Sequence, residues 1–346
     1  MLYAIILAGG RGERFWPKSR RSFPKQFLRL FSKKSLLELT YERITPLIPS
    51  ERQLYVVPRY LLPPLKEVMP ILKREHILVE PEGKNTAPSI ALAALHISKL
   101  NPETVMLILP ADHLIEGRER FYECIKFAEE IAEEGYLVTF GIPPTRPDTG
   151  YGYIEVKGEL ERRGGLMAYK VKRFTEKPEK RLAEMYVKKG DYFWNSGMFV
   201  FKADSILSAF SSCLPEFYDR IEDYKKGRIS LEELYRRAPS ISIDYGIMEK
   251  AENIALVKAN FVWDDVGSWL ALERHLPKDL DNNAIFGKFY SMDTKNMIVY
   301  NEDGIVVGIG VQDLVIVKTK DVVLVCKKDR APDIKNLLRK IEEKYL

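Results

Sequence analysis

The residues best suited to chemistry lie near the start of the chain, around two adjacent glycines. An apolar run of strand length, Leu2 to Ala8, ends at Gly9-Gly10. Glycine lacks a Cβ, so backbone N–H groups can approach an anion closely at the open edge of a parallel sheet. The residues that follow are strongly basic and include Arg11, Arg14, Lys18, Arg20, Arg21, Lys25 and Arg29. The pattern predicts a phosphate site at the end of the first strand.

Two better-known phosphate loops fit this stretch poorly. The third glycine of a dinucleotide-binding loop is absent, and Arg14 stands where close helix packing would be needed. A Walker loop needs Gly-Lys-Ser/Thr, whereas Lys18-Ser19 follows Trp16-Pro17. The remaining alternative is a basic loop that is only solvated or that contacts nucleic acid.

An aspartate at the end of a second predicted strand is another candidate. Val105 to Leu109 is a continuous apolar run, typical of a strand buried on both faces, and Asp112-His113 follow it closely. A carboxylate just past the carboxyl end of a central strand stands where a metal-bound phosphate would lie. The alternative is that Asp112 only caps a turn. We interpret His113 as a supporting residue.

Two further aspartates follow a strand far downstream. Residues 259–263 alternate as in a strand, which ends in Asp264-Asp265. Successive side chains of a strand point to opposite faces, so these two carboxylates face different surroundings. We interpret Asp264 as a structural hydrogen-bonding residue.

A third strand end carries the run Glu80 to Pro88, which leads into a predicted helix at residues 90–95. Thr86 is placed to cap this helix, and Pro88 is tolerated in its first turn. By spacing alone, an ordinary strand-to-helix connection is the favoured interpretation.

The elements that must position these residues alternate along the chain. Apolar runs of strand length alternate with helix-like segments, which predicts an α/β fold with a mixed, mostly parallel sheet and helices on both faces. After residue 280 short strands recur about every nine residues. They predict a small β-domain over 281–346 that follows a larger domain over 1–280 and closes with a helix from Ile334 to Tyr345.

Composition sets the outer bounds. A chain of 346 residues, 46% of them hydrophobic, can bury a sizeable core. Cys124, Cys213 and Cys326 lack the spacing of a zinc site or a disulfide framework. The net charge of +5 lies largely in the first thirty residues, which argues against a general nucleic-acid surface. No run is long enough to span a membrane, so we expect a cytoplasmic protein.

A longer pattern suggests a family. Gly9-Gly10-x-Gly12-x-Arg14-x-x-Pro17 followed by Pro24-Lys25 resembles the signature of the sugar-1-phosphate nucleotidyltransferases. The runs Phe15 to Ser19 and Lys25 to Leu28 are similar to their mannose-1-phosphate guanylyltransferase branch. Further motifs follow in the family's order: Glu176-Lys177-Pro178 and Trp194-Asn195-Ser196-Gly197. The resemblance implies a Rossmann-like, GT-A type domain with a short left-handed β-helix at its C-terminus.

The resemblance also implies a role for individual residues. The catalytic cations would be Arg14, Lys25 and Lys177. Mg²⁺ would be held by Asp112 and Asp265. The nucleotide would contact Leu7, Ala8, Gly9, Gly10, Gly12, Glu80, Asn85 and Thr86. The sugar phosphate would contact Gly150, Glu176, Lys177 and Asn195.

The reaction implied is GTP plus α-D-mannose 1-phosphate giving GDP-mannose plus pyrophosphate, in a homodimer without nucleic-acid or membrane partners. One alternative is a related transferase that uses another base or sugar. The other is a non-catalytic nucleotide-sugar sensor or assembly subunit on the same fold. Evolution toward a non-catalytic subunit should have replaced the catalytic lysines and the metal aspartates, but this chain retains them.

Overall fold

The structure is a computed structural model that describes residues 1–10 and 12–346, so the predicted phosphate-loop residue Arg11 lies outside the described residues. The strands, in chain order, are β1 (Leu2–Leu7), β2 (Gln53–Pro58), β3 (Ile77–Glu80), β4 (Val105–Pro110), β5 (Leu114–Glu116), β6 (Leu137–Ile142), β7 (Tyr153–Arg163), β8 (Leu166–Thr175), β9 (Tyr192–Lys202), β10 (Ile254–Lys258), β11 (Val262–Asp264), β12 (Ala284–Phe286), β13 (Phe289–Met292), β14 (Ile298–Asn301), β15 (Val306–Ile309), β16 (Leu314–Lys318) and β17 (Val323–Lys327).

All but the last of the helices lie between these strands, as the alternation predicts. They are α1 (Leu36–Ile44), α2 (Leu62–Val68), α3 (Thr86–Ser98), α4 (Arg118–Glu133), α5 (Lys180–Lys189), α6 (Ala203–Cys213), α7 (Pro215–Lys225), α8 (Leu231–Arg237), α9 (Leu272–His275) and α10 (Ile334–Leu337). Local signals set several of the helix starts. Ser35 caps α1 through a reciprocal pair of hydrogen bonds with Glu38.

One mixed sheet organises the first part of the chain, in the order β3-β2-β1-β4-β9-β6-β10-β8-β7. The strands β3, β2, β1 and β4 are parallel, and β9 joins β4 antiparallel. The carboxyl ends of β1, β3 and β4 therefore meet at one edge of the sheet, where the three predicted ligand-binding segments begin.

The sheet is covered on both faces. Ala4 and Ile6 of β1 pack into one apolar core, whereas Ile5 between them packs into the other. Helix α4 contributes Phe121 to the first core, and α3 contributes Ile90 to the second. A continuous apolar run such as β1 is therefore buried on both sides, as expected of a strand inside a doubly covered sheet.

The C-terminal residues form a β-helix-like element. Strands β12, β14 and β16 stack in parallel, β17 closes the sheet antiparallel, and β13 pairs with β15. We call the turn that carries Gly9, Gly10 and Gly12 the glycine loop. The C-terminal element shares a core with the segment that follows this loop. The Trp269 ring lies 5.2 Å from that of Phe15 and 5.1 Å from that of Tyr300. The aromatic column ties the loop to the C-terminal element.

The predicted closing helix is less regular than its apolar spacing suggests. Only the four residues of α10 are α-helical, with short 3₁₀ turns on either side. Pro332 lies in the turn before α10, and Ile341 adopts an extended conformation that ends the helical path. Within the residues that the structure describes, no helix is long and apolar enough to cross a membrane.

Candidate functional site

A cavity of about 660 Å³ opens at the carboxyl ends of β1, β3 and β4. Its walls combine segments that are far apart in sequence. Eleven of the predicted site residues line it: Leu7, Gly9, Gly10, Glu80, Asn85, Thr86, Asp112, Gly150, Glu176, Asn195 and Asp265. The structure thus brings the three predicted groups of ligand-binding residues together in one space.

Gly12 allows the glycine loop to pack against Lys25. Its φ is +62°, in the left-handed region that favours glycine. An added Cβ at this position would lie 2.4 Å from Lys25 Cβ and 2.6 Å from its backbone nitrogen. Gln26, the next residue, donates a 2.8 Å hydrogen bond from Nε2 to the carbonyl of Ala8. Gly12 and Ala8 therefore shape the loop from outside the cavity wall.

We expect Gly12→Ala to lower the melting temperature. The left-handed conformation costs a non-glycine residue roughly 1–3 kcal/mol, and the contact with Lys25 adds to that cost. Gly227→Ala is a matched control, because its φ is +68° but an added Cβ would have no heavy atom within 4 Å. Thermal unfolding of both variants measures the difference. Equal losses would mean that the contact with Lys25 is unimportant.

Lys25 connects the two predicted metal aspartates. Its side chain is largely buried, and its ammonium lies 2.8 Å from Asp112 Oδ2 and donates a 2.5 Å hydrogen bond to the carbonyl of Asp265. Burial is the largest single effect and raises the pKa of Asp112, but the charge and hydrogen bond of Lys25, together with His113 and a backbone hydrogen bond, outweigh burial and hold the pKa below its usual value. Asp112 is therefore a carboxylate at neutral pH.

Aromatic residues form hydrogen bonds to Asp265 and to His113, the residue next to Asp112. The hydroxyl of Tyr151 donates a 2.8 Å hydrogen bond to Asp265 Oδ1. The indole Nε1 of Trp263 donates to His113 Nδ1 at 3.2 Å. Burial lowers the pKa of His113 to about 4, so its ring is neutral and can accept this bond. His113 thus supports the site, in agreement with the sequence interpretation.

Asp264 faces away from the cavity. Its carboxylate accepts hydrogen bonds from Arg274 at 2.6 Å and 2.9 Å and contacts His275 Nε2 at 2.8 Å. Burial raises its pKa, but the hydrogen bonds from His275 and Arg274 outweigh burial and lower it overall. Asp264 therefore anchors the strand end, which agrees with the structural role expected for it.

The carboxylates present suit a hard cation that shares its coordination with substrate. Among the described residues there is no cluster of three or more His, Cys, Asp or Glu side chains that could hold a metal by itself. Asp112 and Asp265 nevertheless line the same cavity. Mg²⁺ is commonly bound by one or two carboxylates together with waters and substrate phosphates. This donor set fits Mg²⁺.

Glu80 forms the buried end of the cavity. Its Oε1 accepts hydrogen bonds from Ser89 at 2.7 Å and from Tyr235 at 3.0 Å. Burial raises the pKa of Glu80 to about 7, although both hydrogen bonds act to lower it. Its other oxygen, Oε2, faces the glycine loop, since a Cβ added at Gly9 would lie 3.7 Å away.

The cap of helix α3 differs from the prediction. The N-cap is Asn85, at a φ of 71°, and its side chain accepts a hydrogen bond from the Thr86 backbone. Thr86 instead begins the helix, and its hydroxyl accepts a 2.8 Å bond from the Ile243 backbone. The distant segment around Ile243 uses the threonine hydroxyl, which leaves the capping role to Asn85.

Another part of the cavity wall is polar. Asn195 Nδ2 donates a 2.6 Å hydrogen bond to Asp244 Oδ1. Burial and the charge of Glu176 raise the pKa of Asp244, against the hydrogen bond from Asn195. Glu176 forms an ion pair with Lys177. Carboxylate and amide groups offer the donors and acceptors that sugar hydroxyls require.

Five predicted site residues are not part of the cavity wall: Ala8, Gly12, Arg14, Lys25 and Lys177. Arg14 is exposed on a short 3₁₀ turn, and Lys177 is turned toward Glu176. Lys25 lies behind the wall but contacts Asp112 within it. Arg14 and Lys177 would have to reorient to contact a ligand in this cavity.

Sequence reasoning missed three residues that shape the site. Tyr151 holds Asp265, Tyr235 holds Glu80, and Asp244 holds Asn195. The signal for Asp244 was a single acidic residue inside the otherwise apolar run 243–248. Tyr235 had no such signal, because it is one of several polar residues on a predicted outer helix.

Comparison with known proteins identifies the family of the chain. A family model described as nucleotidyl transferase matches residues 3–282, and one described as a MannoseP isomerase/GMP-like beta-helix domain matches residues 287–341. The mannose-1-phosphate guanylyltransferase of Klebsiella pneumoniae is 38% identical over 99% of this chain and 74% of its own length. Mannose-1-phosphate guanylyltransferase RfbM of Salmonella typhimurium is 40% identical over 96% of this chain and 71% of its own length.

A solved structure is similar over nearly the whole chain. It is described as mannose-1-phosphate geranyltransferase from Thermus thermophilus, with 41% identity and a TM-score of 0.90 over 98% of both chains. A structure described as mannose-6-phosphate isomerase from Helicobacter pylori has 29% identity and a TM-score of 0.60, over 76% of this chain and 99% of its own. The predicted fold, with its C-terminal β-helix-like element, is confirmed.

Proposed function

The chain belongs to the nucleotidyl transferase family, among the mannose-1-phosphate guanylyltransferases, and we propose that it transfers a guanylyl group from GTP to α-D-mannose 1-phosphate. The products are GDP-mannose and pyrophosphate. The observation that carries the proposal is the arrangement of one cavity. This cavity is lined by the buried Glu80, by Asp112 and Asp265, which Lys25 contacts, and by Asn195 and Glu176.

The cluster of Lys25, Asp112 and Asp265 suits phosphoryl chemistry. An oxygen of the sugar phosphate attacks the α-phosphorus of GTP in line, and pyrophosphate leaves from the opposite side. Such a step needs positioning and charge neutralisation rather than covalent help. Lys25 neutralises charge at the α-phosphate. Lys177 breaks its ion pair with Glu176 and pairs with the sugar phosphate instead. Arg14 holds the β- and γ-phosphates together with the amides of the glycine loop.

The metal and the assembly are part of the proposal. Asp112 and Asp265 hold one Mg²⁺, which when bound supplies charge neutralisation at phosphate oxygens. The active form is a cytoplasmic homodimer, and the boundary between its two domains lies at residues 280 and 281. An exposed apolar face on strands β13 and β15 supports dimerisation; its residues are Tyr290, Met292, Val307 and Ile309.

A substrate panel tests the function. Pyrophosphate release is measured with GTP, ATP, UTP, dTTP and ITP, each combined with mannose 1-phosphate or glucose 1-phosphate. GTP with mannose 1-phosphate should give the highest kcat/KM. A higher value for another pair would assign a different transferase activity, and no release with any pair would favour the non-catalytic alternative.

We propose that base choice depends on Glu80. Guanine presents two adjacent donors, N1–H and the 2-amino group, and a carboxylate oxygen can accept from them. Oε1 already accepts from Ser89 and Tyr235, so Oε2 is the oxygen left for the base. Asn85 and the backbone near Thr86 line the same cavity and supply groups for the remaining base edge.

Glu80→Gln should lower the preference for GTP over ITP, because inosine lacks the 2-amino group and the amide places a donor against a donor. With Glu80 ionised, above its pKa of about 7, a charge-assisted contact of this kind is worth about 1–3 kcal/mol of discrimination. Steady-state kinetics with both nucleotides measures the ratio of kcat/KM for GTP to that for ITP. The KM for mannose 1-phosphate should not change. Glu82→Gln is the control, an exposed carboxylate outside the cavity wall. An unchanged ratio in Glu80→Gln would assign the base contact to Asn85 or the backbone.

A further inference from the structure

A second cleft, of about 760 Å³, lies between the segment 13–22 and the segment 335–346. The first segment follows the glycine loop, and the second ends the C-terminal element. Among the described residues, Tyr60 alone lines both this cleft and the first cavity. The second cleft is thus a separate space that adjoins the nucleotide end of the first.

The cleft is strongly cationic. Its lining carries four basic side chains, Arg20, Arg21, Lys335 and Arg339, and among the described residues Glu13 provides its single acidic side chain. These cations come from both segments, so their charges converge on the space between them. A concave surface with this charge favours an anionic ligand.

Two of the four cations form close ion pairs within the protein, and the other two do not. Arg20 pairs with Asp321 at 2.8 Å, and Arg21 pairs with Glu343 at 3.1 Å. Lys335 is 62% exposed and lies 3.9 Å from Glu13. Arg339 has no ion pair within the part of the chain that the structure describes. Lys335 and Arg339 are therefore the groups best placed to bind a ligand.

A buried hydroxyl on the same lining lacks a partner. Ser19 is 2% exposed, and its Oγ has no hydrogen-bond partner among residues 1–10 and 12–346. A buried donor without an acceptor is costly, and a ligand oxygen would remove that cost.

The rest of the lining is aromatic and apolar. Trp16 and Tyr60 contribute rings, and Leu338 contributes an aliphatic side chain. Guanidinium, ammonium and hydroxyl donors together match the oxygens of a phosphate group, and the rings match an organic substituent on it. We propose that this cleft binds an anionic phosphate monoester through Lys335, Arg339 and Ser19. The inference goes beyond the guanylyl transfer and does not rest on it.

The position of the cleft predicts how a bound ligand affects the two segments. The two segments already touch: Trp16 Nε1 donates a 2.8 Å hydrogen bond to the carbonyl of Tyr345, and the Arg21 backbone donates a 2.6 Å bond to the carbonyl of Leu346. A ligand bound to both Ser19 and Arg339 would add a further bridge. It would hold in place the segment that carries Arg14 and leads to Lys25.

Isothermal titration calorimetry tests the binding, with inorganic phosphate and phenyl phosphate as probes. Wild-type protein should bind both, and phenyl phosphate more tightly because of its ring. The double variant Lys335→Gln/Arg339→Gln should bind each probe at least tenfold more weakly, and Ser19→Ala should show a smaller loss in the same direction. Lys126→Gln, an exposed lysine on α4, should match the wild type.

Hydrogen exchange locates the bound anion. Phenyl phosphate should increase amide protection in residues 13–22 and 335–346 of the wild type but not of the double variant. Both substituted side chains are exposed, so the double variant should keep the wild-type melting temperature. Equal wild-type affinities for the two probes would still support the cleft, with free phosphate as its ligand. Unchanged affinity for both probes in the double variant would overturn the proposal.

Discussion

Replacing Lys25 with alanine should lower turnover by roughly a hundredfold or more, with a smaller effect on nucleotide binding, because its charge contact strengthens in the transition state. The structure gives this lysine a second task. Its ammonium contacts Asp112 at 2.8 Å and the carbonyl of Asp265 at 2.5 Å, so it also holds the two strand ends together. Single-turnover kinetics separates the chemical step from binding.

The control for this variant is Lys34→Ala, which removes an equally charged side chain that pairs with Glu42 on the surface. Turnover of the control should match the wild type, since surface ion pairs contribute little. The melting temperature of Lys25→Ala reports any structural loss from leaving Asp112 without its partner. Near-normal turnover of Lys25→Ala would reduce this lysine to a structural role.

The second large effect is expected at the paired aspartates. Asp112→Asn and Asp265→Asn should each lose activity by about a hundredfold or more, since a metal contributes several kcal/mol of charge stabilisation. If both carboxylates hold one Mg²⁺, the double variant should cost little more than either single one. The apparent Mg²⁺ requirement of each single variant should also rise. Fully additive losses would mean that the two residues do not act together.

Asp264→Asn is a matched control, because it changes the residue beside Asp265 but on the opposite face. Its carboxylate bonds to Arg274 and His275, so the substitution should lower the melting temperature. The Mg²⁺ requirement should not change. A raised requirement in this variant would instead assign Asp264 to the metal.

The sequence alone was enough to predict the elements, because their signals are local. The apolar run of β1, the glycines that end it and the cap of α1 each depend on neighbours a few residues away. The recurring short strands after residue 280 predicted the β-helix-like element for the same reason. The closing helix is shorter than its periodic apolar pattern predicted, because the extended Ile341 ends the helical path.

The motifs also identified part of the cavity wall. Eleven predicted site residues line it, and most of them lie at or after the carboxyl end of a strand, whereas Asn195 lies near the start of β9. Sequence order could not tell which of them touch. The contact between Lys25 and Asp112 arises because β1 and β4 are neighbours in the sheet, although β2 and β3 come between them along the chain.

Only the tertiary structure decided how these residues are held. Tyr235 reaches Glu80 across 155 positions of sequence, and Trp16 reaches Tyr345 across 329. Periodicity carries no information over such separations, because these contacts depend on strand order and on the packing of outer helices. Residue types and local motifs were therefore enough to propose the chemistry of the site. The ionisation of Glu80, the orientation of Asp265 and the cationic cleft beside residues 13–22 follow instead from burial and long-range packing.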